Sequence, residues 1–378
     1  MLNVMLKRVL FLVVAVFVIT VWLTCHVFSK TRVKPVSFLK TSTSAFKVIY
    51  PTDDDACNRG LSSEHFSRKD IIHSYNVSSN GSDVIVFVRI QKTGSTTFAR
   101  HMTDDLDVTP WCRCDGEVKT KCACYQAWKS NVLFKQEMYE HPCHVHADWT
   151  HLHACVENAM NRRSGRKIKR RHLYVTMLRH PLPRYLSEWN HVSRGATWIV
   201  PLLCNGRSPT TEELPRCFDV DWKNVTLHEF MDCKSNLAVN RQTRMLANLS
   251  IVDCYNTSAS GWTYDERQYR MLTSAKENLK NMAYFGLTEY QELSQILFEN
   301  TFNLRFTAKF KTKHTSSTFS LTENDRNKIF YMSRFDVMLY DYAKDIFFQR
   351  LKYLAATSSQ PRLSSLLREL SNSGGPAR

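Results

Sequence analysis

The residues that most constrain the fold of this chain run from Asp83 to Arg100 and read DVIVFVRIQKTGSTTFAR. Val84–Ile90 is apolar and mostly β-branched, which predicts a buried strand. Residues 91–97 then supply a lysine, a glycine and several hydroxyl groups, and the residues after them suit a helix. A loop between a strand and a helix presents backbone N–H groups to an anion. The stretch therefore predicts an anion-binding loop, although it lacks the Walker A spacing.

The loop residues leave two interpretations open. In the first, Gly94 lets the backbone approach an anion and Lys92 adds a positive charge, which suits a nucleotide with a phosphosulfate at its 5′ end. In the second, the segment is an ordinary strand–turn–helix connection with a solvated lysine. Short motifs occur by chance, so other parts of the chain must decide.

Charge narrows the class of partner. The 378 residues carry a net charge of +16 and a pI near 9.3. This excess favours nucleic acid, an anionic membrane or an acidic polysaccharide as partner; the alternative is a generally basic, solvated surface. The length fits one large α/β domain or two small ones.

An apolar run over residues 9–28 is long enough to cross a membrane. With no cleavage site after it, we expect an uncleaved signal-anchor behind a cytoplasmic tail, residues 1–8. Most of the twelve cysteines follow the span. Sequons stand at Asn76, Asn80, Asn224, Asn248 and Asn256. These features favour a type II protein with a luminal body, and an acidic glycan over nucleic acid as partner.

The rest of the chain divides into three parts. Residues 29–80 have the composition of a luminal stem, which includes Cys57. We expect the catalytic body over residues 81–355 and a disordered tail over residues 356–378. Near the end of the body, Thr322–Leu351 reads as one long helix.

A cysteine-dense segment follows the predicted loop and helix. Its cysteines are Cys112, Cys114, Cys122 and Cys124. In a luminal protein this pattern favours disulfides across a hairpin over zinc, although the pairing is not deducible. Thr120 and Lys121, at the hairpin tip, could meet an anionic sugar.

Five histidines crowd residues 141–153, HPCHVHADWTHLH. They could bind a metal, supply a general base, or be ordinary surface and core histidines. We choose His146 as the base, because Asp148 two residues later could orient its ring.

Two further segments follow. The basic residues 161–172 form either a solvated loop or a glycan-facing surface. Leu173–Leu178 predicts a second buried strand, which places Arg179 at its carboxyl end, where α/β sheets bind ligands. Arg179 and Ser187 suit a terminal phosphate; alternatively, Arg179 pairs with a structural carboxylate and Ser187 packs.

Long strings along the body carry a resemblance. They are QKTGSTTF, the paired CxC motifs, HADWT, TMLRHPLPRYLSEWNHVSRGATW, ELPRCFDVDW, EFMDCKSNLAVNRQTRMLA, FGLTEY and DVMLYDYAKDIF. In this order, from about Asp83 to Arg350, they closely resemble the heparan sulfate 6-O-sulfotransferases.

The resemblance implies a Golgi type II membrane protein with a P-loop-like α/β sulfotransferase fold, a central parallel sheet flanked by helices. It implies sulfuryl transfer, without a metal, from 3′-phosphoadenylyl sulfate (PAPS) to the 6-hydroxyl of glucosamine in heparan sulfate. His146 and Lys92 match catalytic residues. The donor-binding positions are Arg89, Ile90, Gln91, Lys92, Thr93, Gly94, Ser95, Thr96, Thr97, Arg179, Ser187, Lys311, Thr312, Lys313, Ser317 and Thr318. The acceptor contacts are Thr120, Lys121, His141, His146, His191 and Trp198.

The chain departs from the family pattern at several positions. Ser95 replaces a second glycine of the loop, and His180 stands where the family has aspartate. His141 replaces an expected tryptophan, and Ser317 an expected arginine. Two alternatives therefore stay open: a luminal heparan-binding protein without activity, and a sulfotransferase for another position, such as the uronic acid 2-hydroxyl.

Overall fold

The computed structural model describes residues 66–77, 83–108, 112–114, 122–125, 132–136, 143–196, 202–256, 261–310, 320–358 and 361–372. All of them belong to one compact unit, residues 51–378. The predicted cytoplasmic tail, membrane span and most of the stem, including Cys57, lie outside the described residues. Within the described ranges, no helix has the length and apolar character needed to cross a membrane.

The strands are β1 (Asp83–Val88), β2 (Arg113–Cys114), β3 (Cys122–Tyr125), β4 (Val132–Gln136), β5 (Arg171–Leu178) and β6 (Tyr284–Leu287). The helices are α1 (Arg68–Ile71), α2 (Ser95–Asp104), α3 (Trp149–Ser164), α4 (Pro181–Val192), α5 (Leu227–Asp232), α6 (Arg241–Leu246), α7 (Tyr264–Asn281), α8 (Gln291–Phe302), α9 (Glu323–Met332), α10 (Arg334–Thr357) and α11 (Pro361–Asn372).

A parallel sheet in the order β1-β5-β6 forms the centre of the fold. Its strands are apolar because both faces are covered. Phe98 of α2 is fully buried, and its ring packs against Phe87 of β1 at 5.8 Å, Tyr284 of β6 at 5.8 Å and Phe298 of α8 at 5.6 Å. The predicted parallel sheet with flanking helices is confirmed. Strands β2, β3 and β4 form a separate antiparallel sheet.

Among the described residues, four disulfides confirm the expectation from the cysteine content. They join Cys112 to Cys124, Cys143 to Cys155, Cys204 to Cys254, and Cys217 to Cys233. The first crosses the predicted cysteine hairpin, in which Cys114 and Cys122 are partner residues of β2 and β3. Such bonds reduce the conformational entropy of the unfolded chain and so stabilise the fold.

Two predictions about the end of the chain differ from the structure. The single helix over Thr322–Leu351 is two helices, α9 and α10, that meet at Ser333. The Asn240 side chain accepts the N–H groups of Phe335 and Asp336, so a distant residue caps the first turn of α10. The predicted disordered tail contains α11, which buries Leu363 against the core. Burial of that apolar side chain offsets the entropy of ordering the segment.

Candidate active site

The carboxyl ends of the three parallel strands meet at one edge of the sheet. Arg89 follows β1, Arg179 follows β5 and Thr288 follows β6. Thr288 Oγ1 lies 2.6 Å from the Thr93 carbonyl and 2.9 Å from the Leu178 carbonyl. Its side chain therefore ties the anion-binding loop, residues 89–97, to the neighbouring strand. Ligand sites of α/β proteins are built at this edge.

The loop turns sharply into α2. Gly94 is the N-cap residue with φ +71°, and a Cβ placed there would lie 3.4 Å from the Thr288 side chain. Lys92 also has a positive φ, 65°, which lysine seldom adopts. The N-terminus of the ten-residue helix α2 thus opens onto the turn, and its first N–H groups favour an anion.

Hydroxyl groups of the loop form hydrogen bonds within the loop. Thr93 Oγ1 and Ser95 Oγ both donate to the Ile90 carbonyl at 2.9 Å. Thr96 Oγ1 accepts from Arg89 Nη2 at 3.2 Å. Ser95 is buried, so the hydrogen bond of its hydroxyl stabilises the turn.

Positive charge concentrates around this loop. Arg179 Nη1 donates to the Lys92 carbonyl at 3.3 Å. Burial lowers the pKa of Lys92, and the nearby Arg194 and Arg179 lower it further. Burial lowers the pKa of Arg179, and the charge of the nearby Glu289 carboxylate opposes that shift. The combined field attracts an anion.

The Arg89 side chain also supports the interpretation that the loop attracts an anion. It is buried, and within the described residues its Nε and Nη1 atoms have no hydrogen-bond partner. Burial, with a smaller contribution from Arg100, lowers its pKa to about 10. Donors of this kind are costly to bury unless something accepts from them.

His146 lies beside the same loop. Its Nδ1 is 2.9 Å from the Arg89 carbonyl oxygen. Because a carbonyl only accepts, Nδ1 carries the proton and Nε2 is the basic nitrogen. Burial lowers the pKa of His146 to about 4, and the positive charges of Arg89 and Arg241 contribute in the same direction. The ring is therefore neutral at pH 7, as a general base must be.

Asp148 does not orient His146 as the sequence interpretation expected. Its carboxylate caps α3 by accepting the His151 N–H at 2.9 Å, and it also accepts from the Tyr255 hydroxyl at 3.4 Å. An aspartate just before a helix satisfies the helix's first N–H groups, and this local role wins here.

A buried charged cluster lies behind the site and was not anticipated from the sequence. Glu188 on α4 accepts from Arg184 Nη1 at 2.5 Å and from two nitrogens of Arg241. Arg184 Nε also lies 3.9 Å from Asp336 on α10. Arg184, Glu188 and Asp336 are at most 1% exposed. The i,i+4 spacing of Arg184 and Glu188 in an apolar helix was the available signal.

Gln242 connects this cluster to Arg179. The Gln242 side chain accepts the Arg179 N–H and donates to the Arg179 carbonyl, both at 2.9 Å. The Gln242 N–H in turn lies 3.2 Å from a carboxylate oxygen of Asp336. Gln242 is 1% exposed, so these bonds fix the backbone from which the Arg179 side chain projects.

A small pocket of about 10 Å³ lies next to His146, with room for roughly one water molecule. Gln91, His151, Arg241 and Arg244 are among its polar lining residues. Within the described residues, Gln91 Oε1 and His151 Nδ1 are buried and have no hydrogen-bond partner. The pocket therefore offers polar contacts to a water-sized molecule beside His146.

Ser187 and His191 lie one turn apart on α4 and are both half-buried. Burial lowers the pKa of His191, and nearby Lys92 lowers it further. Other predicted site residues lie outside the described residues: Thr120, Lys121, His141, Trp198, Lys311, Thr312, Lys313, Ser317 and Thr318. In the described part of the chain, no three His, Cys, Asp or Glu side chains are grouped to hold a metal ion.

Comparison with known proteins gives a consistent result. Residues 75–343 match the sulfotransferase family. Heparan-sulfate 6-O-sulfotransferase 3-B of Danio rerio is 43% identical over 344 residues, which cover 89% of this chain and 81% of the relative. Heparan-sulfate 6-O-sulfotransferase 2 of Gallus gallus is 41% identical over 360 residues, covering 93% of this chain and 89% of the relative.

The human relative agrees with these two. Heparan-sulfate 6-O-sulfotransferase 1 of Homo sapiens is 44% identical over 312 residues, covering 81% of this chain and 74% of the relative. The matched region contains the parallel sheet, the anion-binding loop, Arg179 and His146. The chain is therefore a sulfotransferase and belongs to the heparan-sulfate 6-O-sulfotransferase family.

Proposed function

We propose that this enzyme transfers a sulfuryl group from PAPS to the 6-hydroxyl of glucosamine residues in heparan sulfate. The observation that supports the proposal is the contact between His146 Nδ1 and the Arg89 carbonyl, which holds a neutral imidazole against the predicted anion-binding loop. The names of the relatives supply the glycan and the position of transfer.

The residues present fit a nucleotide phosphosulfate. The α2 N-terminus and Lys92 would hold the phosphosulfate, and the unpartnered nitrogens of Arg89 would find acceptors there. Arg179 and Ser187 would hold the 3′-phosphate, through a planar guanidinium and a hydroxyl. Lys311, Thr312, Lys313, Ser317 and Thr318 remain predicted donor contacts. PAPS supplies an activated sulfuryl group, so the reaction needs no metal.

His146 accepts the proton of the sugar hydroxyl at Nε2 while that oxygen forms its bond to sulfur. The bond between sulfur and the phosphate oxygen breaks in the same displacement, and the electron pair leaves with the phosphate. Lys92 and the loop N–H groups stabilise the charge that grows on that oxygen. A positioned base contributes roughly 10²–10⁴-fold, and each preorganised donor about 3–4 kcal/mol.

The acceptor contacts rest on the family resemblance. His191 would contact the acceptor from α4. It lies close enough to Lys92 for the lysine charge to lower its pKa. Thr120, Lys121, His141 and Trp198 remain predictions. The disulfides favour an oxidising compartment, which supports a type II protein of the Golgi membrane with residues 81–355 in the lumen.

A transfer assay tests the proposal. The full chain from a secretory host would receive sulfur-labelled PAPS and N-sulfated heparosan, and the product would be digested to disaccharides. We expect label on glucosamine O-6. Label on the uronic acid would replace the acceptor position but keep the reaction. No label from a folded protein that still binds heparin would favour the non-catalytic binder.

A further inference from the structure

A second concentration of positive charge lies at the end of α3 and in the six residues that lead from it to β5. This segment, residues 161–170 and here called the basic turn, reads NRRSGRKIKR. Arg162, Arg166, Lys167 and Lys169 are exposed. In the part of the chain that the structure describes, none of these four forms an ion pair with a carboxylate. Four uncompensated charges within eight residues create a local positive potential.

The basic turn is ordered by its other polar residues. Asn161 Oδ1 accepts the Ile168 N–H at 3.1 Å and Arg170 Nη1 at 2.6 Å. Gly165 ends α3 with φ +63°, and Ser164 Oγ donates to the Arg166 carbonyl at 2.9 Å. The turn therefore presents its four exposed cations from a fixed backbone, which lowers the entropy cost of binding a polyanion.

The basic turn is remote from the candidate active site. Helix α3 begins three residues after His146, and its sixteen residues span about 24 Å at 1.5 Å per residue. Strand β5 then returns over eight residues, about 26 Å at 3.3 Å per residue, and ends next to Arg179. Both elements place the turn at the opposite edge of the sheet, so one sugar residue cannot contact both places.

We propose that the basic turn is a docking surface for the polysaccharide chain itself, separate from the site where a glucosamine meets His146. This inference rests on the proposed function. The two arginines suit sulfate groups through planar donors, and the two lysines act as point charges for sulfate or carboxylate. A polymer held at the turn keeps its other residues near the active site, which raises their effective concentration.

An anionic lipid surface could also attract four cations. The attraction of membranes for basic segments is greatest at the cytoplasmic leaflet, where the anionic lipids lie. The four disulfides of the described residues favour an oxidising compartment instead. The polysaccharide is therefore the partner that the observations favour.

The test compares two charge-matched variants of the full chain. The first changes Arg162, Arg166, Lys167 and Lys169 to glutamine. The control changes four scattered exposed cations to glutamine: Arg216, Lys234, Lys352 and Arg368. Sulfation is measured with long N-sulfated heparosan and with a tetrasaccharide acceptor. Heparin-column elution is measured without PAPS, and co-sedimentation with vesicles containing anionic lipid is measured separately.

We expect the first variant to raise KM for the polymer about 10-fold through loss of tethering. Its KM for the tetrasaccharide should stay unchanged. The first variant should elute from the heparin column at a lower salt concentration than the control variant does. An unchanged polymer KM would overturn the docking surface while leaving the proposed function intact. A matching loss with the tetrasaccharide would also overturn it, because the effect would then act through the active site.

Two outcomes separate the remaining explanations. If the unmodified protein does not sulfate either acceptor at O-6, the proposed function fails. Heparin elution then decides the docking surface alone, and equal elution of the two variants refutes it. If the first variant loses vesicle binding while its heparin elution matches the control, the turn is a lipid-binding surface and our proposal is wrong.

Discussion

Replacing Glu188 with glutamine should destabilise the protein more than any exposed charge change. Glu188 is 1% exposed and shares its oxygens between Arg184 and Arg241. Burial alone would raise the pKa of Glu188, but the two arginines hold it below its ordinary value. The glutamine variant keeps the volume of the side chain and removes the charge that balances two buried guanidinium groups.

The magnitude follows from the burial of the partners. Removing one member of a buried ion cluster leaves an uncompensated charge away from water, which costs about 3–5 kcal/mol. Arg184 retains Asp336 at 3.9 Å, so the low end of this range is expected. For a large domain, at about 2–4 °C per kcal/mol, a loss of about 3 kcal/mol should lower the melting temperature by roughly 6–12 °C. An exposed ion pair contributes only about 0–1 kcal/mol.

Thermal unfolding monitored by circular dichroism measures the effect. Glu292→Gln is the matched control, because Glu292 pairs with Arg362 on the surface. The double variant Glu188→Met/Arg241→Met should recover part of the lost stability. It also removes the Arg241 charge, one of the two that lose their carboxylate partner when Glu188 is replaced. Equal melting temperatures for Glu188→Gln and Glu292→Gln would refute the reasoning. Because the folded pKa of Glu188 lies below 4.5, its stabilisation is present above pH 4.5 and is lost as pH falls through that lower value.

Three further predictions concern catalysis. Gln242→Met should raise KM for PAPS about 10-fold with kcat nearly unchanged, because about 1.4 kcal/mol of positioning by its two hydrogen bonds to Arg179 is lost; a fall in kcat alone would contradict it. His146→Ala should lower kcat by roughly 10²–10⁴-fold while calorimetry shows unchanged affinity for adenosine 3′,5′-bisphosphate; retained activity would remove His146 from this role. Because the pKa of His146 is lowered to about 4, kcat/KM for the acceptor should stay level from pH 8 to about 5; an acidic limb near pH 6.5 would show a solvent-exposed base instead.

Local features were predictable from the sequence. The strand before the loop, the turn at Gly94 and the helix that follows depend on neighbouring residues, and the structure has the strand within two residues of its expected ends. The position of Arg179 was predictable in the same way, because the apolar run that forms β5 ends at Leu178, directly before it. Adjacent chain positions constrain one another through backbone geometry, so such patterns survive without knowledge of the fold.

Long-range pairings were not predictable. Glu188 and Arg241 are 53 positions apart, and Asp336 is 94 positions beyond the Gln242 N–H that it accepts. Asp148 was expected to orient the His146 ring, but its carboxylate caps α3 instead. Likewise Ser333 separates two helices because Asn240, far away in sequence, caps the second.

The sequence by itself determined the strand, turn and helix over residues 83–104, the parallel sheet, the disulfide-rich body and the family to which the chain belongs. Tertiary structure decided which carboxylate neutralises which arginine. It also decided that Gln242 hydrogen-bonds to the Arg179 backbone and that His146 Nδ1 hydrogen-bonds to the Arg89 carbonyl. The physical reason is that a side chain's burial and partners depend on packing between distant segments. Neither quantity is encoded in the residues next to it.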